Sequence, residues 1–415
     1  MTGRHMMRSA VRVRTVVAAV AAAGAVVAGT GTGQATALDR VRLAGGLSVA
    51  PGIGYRAFLV TGSHGVVSGH LVTADLTNRH VSVDLLTPGT VSSRLKLSRM
   101  AAAQGAVAGV NADFFDIEES QHAGVAPTNS AVGPAIAHGR ALKAAVPDGQ
   151  RFGPGLPPGT STRDVIGVGY DKRARLDKLT LRGSVRTRSR SFGLGGFNQY
   201  AVPVGGVGAF TAKWGAASRQ RSVCGTDTVR AAACSTHTYE VTVRNNRVVS
   251  RSATIGAGAI AGGTVVLVGR EAGADRLRAL RTGDRVRVSE RLRTASGKRL
   301  RFAVGGFPVL RGGKPLPGLD TRTAATRTGA GVGDHGRRLY LLVLDGSAES
   351  GSGLTVAEVA DVLAAVGADA GVNLDGGGSS TLVTRDPVTR APVVRNHPTG
   401  GAERPVPEGI GLFSR

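Results

Sequence analysis

Residues able to do chemistry are concentrated in the stretch 371–383, which reads G-V-N-L-D-G-G-G-S-S-T-L-V. Its apolar and β-branched ends predict two buried strands, and glycines 376–378 cannot extend either strand because they have no side chain to pack. Asp375 is therefore expected at a strand end, beside a turn of bare backbone whose N–H groups can bind anionic oxygens. Ser379 and Ser380 add hydroxyl donors. The pattern indicates that this turn lines a binding site for a sugar or a phosphate.

A structural interpretation of this stretch stays open, because D-G-G-G between two strands is also a common tight connection. Two familiar functional types are excluded. No Lys follows the glycines, as a P-loop requires, and Ser379 lacks the G-x-S-x-G frame of a nucleophile elbow. The turn is thus neither a nucleotide cradle nor a common hydrolase elbow.

A second apolar strand, residues 106–110, also ends in polar side chains, here Asn111 and Asp113. Either this pair belongs to the same site or Asn111 only anchors backbone. Phe114 and Phe115 follow, and they either wall a pocket or fill the core, which is the commoner fate of aromatic residues.

A strand, a helix and a strand are predicted between residues 339 and 374. Thr355 and Glu358 form a T-x-x-E capping box at the start of the helix. Such a connection usually joins parallel strands, so Asp345 and Asp375 are expected on the same edge of a parallel pair, where ligand sites of such sheets lie. Alternatively, Asp345 merely caps a turn.

The rest of the chain predicts short strands and few helices. Alternating runs within 45–86 predict an antiparallel meander, 94–104 a short helix, and 164–293 a β-rich middle segment. Residues 117–162, rich in Gly, Pro, Ala and Ser, predict a long surface loop with a short hairpin at 136–142. The expected fold class is α+β: mixed, β-rich sheets with a few packed helices.

Changes in composition divide the chain into four parts. These are a signal peptide at 1–37, an N-terminal β-rich part at 38–162, a β-rich middle segment at 163–300, and a C-terminal part at 301–415 that carries the Asp-Gly-Gly-Gly-Ser-Ser turn.

The N-terminus has the pattern of a Sec-type signal peptide. A basic stretch precedes an uncharged run at 15–33, and an A-x-A site predicts cleavage after Ala37. An uncleaved anchor is the alternative, but the run is short and Gly-rich, and no later segment is long and apolar enough to span a bilayer. We expect a secreted protein, extracellular or wall-associated. In that oxidising setting the only cysteines, Cys224 and Cys234, predict one disulfide.

The chain is strongly basic, with 52 Lys and Arg against 28 Asp and Glu and a net charge of +24. Such an exported protein is attracted to anionic polymers such as wall teichoic acids or phosphoglycans. Nucleic acid is the competing partner. It is disfavoured because the aromatic fraction is 4% and the arginines are scattered along the chain, with no basic helix or stacking motif.

An ordered series of blocks resembles the phosphodiester glycosidase family. The blocks are V-N-A-D-F-F at 110–115, V-G-G-F-P-V-L at 304–310, R-T-G-A-G-V at 327–332, V-L-D-G at 343–346, G-L-T at 353–355, N-L-D-G-G-G-S-S at 373–380 and E-R-P-V at 403–406. In combination they are specific, whereas each alone is weak. The similarity spans residues 70–413, is weak in the middle segment, and departs from the family at Thr326 and Gly329, where Pro and Ala are usual.

The resemblance implies a phosphodiester glycosidase-like fold and hydrolysis of a sugar-1-phosphodiester on its glycosidic side, releasing the sugar and a phosphomonoester. Phosphate is a good leaving group, so a cation near its oxygens helps more than a strong general acid. Arg327 is the candidate, since a guanidinium can donate two parallel hydrogen bonds to phosphate. The expected substrate-binding residues are Arg327, Thr328, Asn111, Gly376, Gly377, Gly378, Ser379, Ser380 and Arg404.

Four carboxylates are available to stabilise an oxocarbenium-like centre or to activate water: Asp375, Asp345, Asp113 and Glu403. Asp375 is the central candidate, with Asp113 or Glu403 second, although Glu403 and Arg404 also fit a structural ion pair. Carboxyl groups about 5 Å apart would favour retention of configuration, and about 6.5–9.5 Å inversion. No cofactor is demanded; a divalent cation between Asp113 and Asp375 fits the donor types, but no ligand spacing requires it.

A function of another class stays open. The protein could be a non-catalytic binding protein for anionic cell-wall glycopolymers. Acids at strand ends favour the enzyme, because carboxylates facing the ligand would weaken a surface built only to bind anions.

Overall fold

A computed structural model describes residues 41–346 and 353–415. The predicted signal peptide at 1–37 lies outside the described residues. Within those residues the fold is mixed but strongly β-dominated, with 26 strands in four sheets.

Nine strands form sheet A. They are β1 (Val41–Leu43), β2 (Leu47–Ala50), β3 (Ile53–Gly62), β4 (Gly65–Asp75), β19 (Phe307–Arg311), β20 (Lys314–Pro315), β21 (Thr328–Gly333), β22 (Arg338–Leu344) and β23 (Ala370–Leu374).

Seven strands form sheet B. They are β7 (Ala135–Ala137), β8 (Arg140–Lys143), β9 (Asp164–Gly169), β10 (Ala174–Arg186), β11 (Ser191–Gly193), β17 (Arg287–Thr294) and β18 (Leu300–Gly305).

Two further sheets have five strands each. Sheet C holds β12 (Gly196–Phe197), β13 (Val207–Phe210), β14 (Thr238–Arg244), β15 (Arg247–Ser252) and β16 (Thr264–Arg270). Sheet D holds β5 (Val81–Leu86), β6 (Ala108–Asn111), β24 (Leu382–Arg385), β25 (Pro392–Val394) and β26 (Gly409–Ser414).

The described helices are α1 (Leu97–Gln104), α2 (Ala272–Arg278) and α3 (Val356–Ala365). The predicted capping box at the start of α3 is confirmed: the Thr355 hydroxyl accepts from the Glu358 amide, and the Glu358 carboxylate accepts from the Thr355 amide. No helix in the described part of the chain has the length and apolar character needed to cross a bilayer.

The two strands that end in Asp345 and Asp375 run parallel, as expected, but they are not neighbours. Strand β21 lies between β22 and β23 and pairs antiparallel with each, Thr328 standing opposite both Val343 and Leu374. The strand ends therefore share one edge of sheet A.

Helix α3 covers one face of sheet A at short range. Side chains of Val359 and Leu363 lie against the backbone of Gly329, Gly331 and Gly371, where a Cβ would meet them. The opposite face packs on sheet D through a shared apolar cluster. The central strands β21, β22 and β23 are therefore buried on both faces, and their polar ends lie where sheets A and D meet.

Two expectations from the sequence are wrong in part. The antiparallel meander predicted within 45–86 is confirmed for β2, β3 and β4, which pair in sequence order, but β5 leaves sheet A and pairs with β26. Residues 117–162 are not simply a surface loop, because Thr128 and the run 130–137 are buried. Alternation alone does not tell which sheet a strand joins, and Gly- and Ala-rich sequence suits tight packing as well as loops.

Candidate active site

Asp375 follows β23 and leads into the glycine turn, as predicted. Its backbone is fixed from two sides, since its amide donates to the Ala112 carbonyl at 2.8 Å and its carbonyl accepts from the Asn111 side-chain amide at 2.7 Å. The residue is partly exposed. This strand end of sheet A is thereby tied to the end of β6 in sheet D.

The glycine turn, residues 376–378, lets other groups approach the backbone closely. Gly377 has a φ of 58°, which favours glycine, and its amide donates to the Thr326 carbonyl at 2.8 Å. A Cβ on Gly378 would overlap the guanidinium of Arg404. The Arg404 guanidinium therefore lies against the turn, beside the Asp375 carboxyl.

Several groups act on the Asp375 carboxyl. Burial raises its pKa to about 7, against the hydrogen bond from the Ser379 hydroxyl and the charge of Arg404, while the charge of Asp113 raises it further. Arg404 donates to the same Ser379 hydroxyl at 3.4 Å. Asp375 thus changes charge near neutral pH next to a guanidinium.

Asn111 is buried and joins three strands rather than lining an open surface. Its side-chain oxygen accepts from the Thr328 hydroxyl at 2.9 Å and from the Thr381 amide at 3.0 Å. The Thr328 and Ser380 hydroxyls lie 3.1 Å apart, within hydrogen-bond distance, and both residues are fully buried. Asn111, Thr328 and Ser380 therefore hold the Asp375 strand end in place.

Asp113 follows Ala112, whose carbonyl accepts from the Asp375 amide at 2.8 Å, so the two aspartates belong to neighbouring strand ends. Its carboxylate is buried and accepts from the amides of Phe114 and Gly133. Burial raises the pKa of Asp113, while Lys143 and these two amides oppose the rise. Asp113 also borders a small cleft with Arg151 and Phe307.

Two charged residues of this centre, Lys143 and Glu408, were not predicted. Lys143 is 2% exposed, donates to the Gly133 carbonyl and acts electrostatically on both Asp113 and Glu408. Burial raises the pKa of Glu408 to about 8, and Lys143 opposes the rise. One signal was available for Glu408: it directly precedes the apolar strand β26, which lies alongside β6.

Arg327 lies at the same sheet edge, but its guanidinium is held by backbone carbonyls. Its Nε donates to Leu354 at 3.0 Å and its Nη2 to Thr323 at 2.7 Å. Burial lowers its pKa against the charge of Asp320. Arg404, and not Arg327, is the arginine that acts on Asp375.

Glu403 points away from this centre. Its carboxylate accepts from the Ser98 amide and hydroxyl, each at 2.6 Å, in the first turn of α1. Here it satisfies a free N–H group at a helix N-terminus and complements the helix dipole. Glu403 and Arg404 therefore have separate partners, and Glu403 is bonded as a helix cap.

Asp345 lies in a dense network of donors. It accepts from the Ser68 hydroxyl at 2.5 Å, from His70 Nε2 at 2.9 Å and from the His397 amide at 2.8 Å. Burial would raise its pKa, but these hydrogen bonds outweigh burial and hold the pKa of Asp345 well below its usual range. Asp345 is 4% exposed.

The predicted disulfide is confirmed, since Cys224 and Cys234 are bonded. Among the described residues, His122 with these two cysteines is the one group of three ligand-type side chains close enough to hold a metal ion, and the disulfide already uses both sulfurs. A divalent cation between Asp113 and Asp375 stays a prediction, and Lys143 and Arg404 already bring positive charge to that centre.

Comparison with known proteins confirms the resemblance for the C-terminal part of the chain. Residues 237–413 match the family model described as phosphodiester glycosidase. No curated protein matches the sequence.

Three solved structures match this chain, and the first two of them share its fold. A Synechocystis protein matches at 18% identity and a TM-score of 0.68 over 89% of this chain, which spans 63% of that protein. A Burkholderia pseudomallei protein matches at 23% identity and a TM-score of 0.64, covering 85% of this chain and 75% of that one. The catalytic domain of zebrafish N-acetylglucosamine-1-phosphodiester alpha-N-acetylglucosaminidase, auto-inhibited by its pro-peptide, matches at 15% identity and a TM-score of 0.44, covering 90% and 88%.

Proposed function

We propose, from the match of residues 237–413 to the phosphodiester glycosidase family, that this protein hydrolyses sugar-1-phosphodiesters at the glycosidic bond. The products are the free sugar and a phosphomonoester. The observation that supports the proposal is that Asp375 and Arg404 lie together at the glycine turn, while the Asp375 amide donates to the carbonyl of Ala112, the residue before Asp113.

Arg404 is the residue we assign to the phosphate. It lies against Gly378, beside backbone that has no side chain to keep a ligand away. A guanidinium matches the geometry of phosphate and stabilises the charge that develops on the departing oxygen. Arg327 is less suited, because two of its five N–H groups already donate to backbone carbonyls and hold the guanidinium in place.

Asp375 is the residue we assign to proton transfer. The bond between the anomeric carbon and the phosphate oxygen breaks, and its electron pair leaves with the phosphate. The oxygen of a water molecule bonds to the anomeric carbon, and the Asp375 carboxylate accepts the proton of that water. A pKa of about 7 suits a base that must release the proton again after each turnover.

Asp113 and its buried partners act on this base. Asp113 raises the pKa of Asp375, and its negative charge favours the oxocarbenium-like centre. Lys143 contacts the Gly133 carbonyl and counters the charge of Asp113. We assign Lys143 and Glu408 to positioning, since both are buried.

The proposed setting is outside the cytoplasm, with cell-wall or capsular phosphoglycans as substrates. The disulfide supports an oxidising compartment. The basic composition supports an anionic substrate.

The test is a screen of small synthetic sugar-1-phosphodiesters in which free reducing sugar and phosphomonoester are detected separately. Release of both in equal amounts, with oxygen-18 from solvent water in the sugar, is the expected result. Oxygen-18 in the phosphate would show P–O cleavage and contradict the proposal. Turnover of no member of the screen would leave the non-catalytic glycopolymer-binding protein as the better account.

Two arginine variants form a matched comparison for the phosphate site. Arg404→Gln is expected to lower kcat/KM by about 10²-fold or more, because the donors it removes act on charge that develops in the transition state. Arg327→Gln is expected to act mainly on thermal stability. The reverse order of effects on kcat/KM would assign the phosphate to Arg327.

A further inference from the structure

One face of sheet B carries an unusual set of cations. Strands β10 and β17 pair antiparallel, with Arg182 opposite Arg291 and Arg186 opposite Arg287, and Arg293 continues the row. All five side chains are exposed. We call these five residues the arginine ladder. Arginines that are scattered along the sequence are here gathered by strand pairing.

The register places the arginine ladder on a single face. Side chains on a strand alternate between faces, and the Ser184 and Ser289 hydroxyls, in the pair between the two arginine pairs, are 3.1 Å apart. The opposite face is apolar, with Val185 buried and Leu181 and Leu292 packed on the core of sheet C. The fold therefore fixes which way the arginines point.

Internal acids do not neutralise the arginine ladder. Across residues 41–346 and 353–415, the ion pairs of this protein involve none of its five members. Like charges directly opposite each other on paired strands are destabilising. The repulsion between these arginines therefore lowers the stability of the fold, and no ion pair of the five residues offsets that loss. Such a cost is expected of a surface that binds an anionic ligand.

A groove runs beside the arginine ladder. It has a volume of about 650 Å³, and its charged lining residues are four cations and one acid: Arg291, Arg293, Lys298, Arg299 and Glu290. The other lining residues are uncharged: Ile136, Gly139, Ala141, Leu292, Thr294, Gly297 and Leu300. The groove follows strand β17 and the turn to β18. An elongated ligand can thus contact the ladder and the groove together.

We propose that the arginine ladder and the adjoining groove bind a linear polymer of sugars or polyols joined by phosphodiester groups. The positive surface is complementary to a chain with one negative charge per unit. The two arginine pairs lie four residues apart along the strands, about 13 Å, and Arg291 and Arg293 lie two residues apart, about 6.6 Å, so phosphates at these intervals along an extended chain can each meet an arginine. The choice of a phosphoglycan, rather than another polyanion, rests on the proposed function. The inference that this surface binds a polyanion does not.

Single-stranded nucleic acid fits this surface less well. Proteins that bind it combine cations with aromatic side chains on which the bases stack. The ladder consists of arginines separated by serines, and the residues that line the groove include no aromatic side chain. Among the described residues, the one exposed ring beside the groove, Tyr170, is covered by the Arg299 guanidinium at 5.1 Å, so the surface offers many cations for phosphates but no row of rings on which successive bases could stack.

The test compares two variants of equal charge. In the ladder variant, Arg182, Arg186, Arg287 and Arg291 are replaced by Thr, which suits exposed strand positions. In the control variant, four other exposed strand arginines are replaced by Thr: Arg42, Arg56, Arg247 and Arg251. Binding of fluorescent linear poly(glycerol phosphate) is measured by anisotropy over a range of salt concentrations, and thermal unfolding is followed for both variants.

The ladder variant is expected to bind at least tenfold more weakly than the control variant. Its slope of log K against log salt should become shallower by about 0.7 for each phosphate that no arginine neutralises any longer. Equal weakening in both variants would show a general charge effect and overturn the proposal. Equal or tighter binding of single-stranded DNA with the same number of phosphates would overturn the choice of ligand.

A separate readout keeps this proposal apart from the proposed function. The ladder variant should hydrolyse a small sugar-1-phosphodiester as fast as the wild type, because the ladder is not part of the Asp375 centre. If neither protein hydrolyses it while ladder-dependent binding persists, the proposed function fails and the binding surface stands.

Discussion

Two strands of sheet A end in the same three residues, Leu-Asp-Gly, at 344–346 and 374–376. The strands run parallel, and both aspartates lie at one edge of the sheet. The pKa of Asp345 lies well below its usual range, whereas the pKa of Asp375 is raised to about 7. Identical local sequence thus yields carboxyl groups of opposite character.

The difference comes from the donors around each carboxylate. Asp345 accepts from Ser68, His70 and the His397 amide, so its charge is well satisfied. Asp375 is bonded by the Ser379 hydroxyl and the Gly376 amide and is repelled by Asp113. The pKa of a strand-end aspartate is thus lowered or raised according to the long-range neighbours that surround its carboxyl group.

The largest expected difference between the two aspartates is in catalysis. Asp375→Asn removes the proposed base and should lower kcat about 10²–10⁴-fold. Asp345→Asn serves as the matched control and should keep kcat within a few-fold, since its donors hold it as a structural anion. Both are measured by release of free sugar at saturating substrate. Activity abolished in Asp345→Asn but kept in Asp375→Asn would exchange the two assignments.

For the free energy of unfolding, we expect Asp345→Asn to be the more damaging of the two substitutions. Asp345→Asn is expected to lower the free energy of unfolding at pH 7 by about 2–3 kcal/mol, because it removes hydrogen bonds to a charged group. Asp375→Asn should instead raise the free energy of unfolding at pH 7, because it removes a carboxyl group whose pKa is raised in the folded state. Urea unfolding of both variants over a range of pH measures this.

The pH dependence of stability follows from the signs of the two shifts. The folded-state pKa of Asp345 is lowered, so its contribution is present above the unfolded pKa of about 3.9 and is lost as pH falls through the folded pKa. The folded-state pKa of Asp375 is raised, so its contribution is present below about 3.9 and is lost as pH rises to about 7. The free energy of unfolding of Asp375→Asn should therefore improve on the wild type as pH rises from 4 to 7.

The smallest effect expected is on the pH profile of turnover. If the Asp375 carboxylate is the base, kcat/KM rises about tenfold per pH unit below 7 and levels off above it. Arg404→Gln should move the midpoint upward, since the charge of Arg404 lowers that pKa. Asp345→Asn should leave the midpoint in place. A rate that falls through pH 7 would make Asp375 the general acid.

Part of the candidate site could be predicted because its signals are local. Glycines beside Asp375, polar residues after the strand at 106–110 and the Thr355 capping box are short-range patterns with direct physical meaning. The importance of Arg404 and Lys143 for the site could not be judged from such short-range patterns. Their importance depends on which strand ends the sheets bring together, and the swap of β5 into sheet D was not visible in its alternation.

By itself the sequence determined the elements: strand ends carrying carboxylates, a turn without side chains, a capped helix and a close pair of cysteines. These follow from propensities and bonds that act over a few residues. Only the tertiary structure decided which aspartate is surrounded by donors, which arginine faces the glycine turn, and that scattered arginines form one ladder. The reason is that electrostatic energies depend on distance in space, and the residues concerned are separated by up to 291 positions of chain, as Asp113 and Arg404 are.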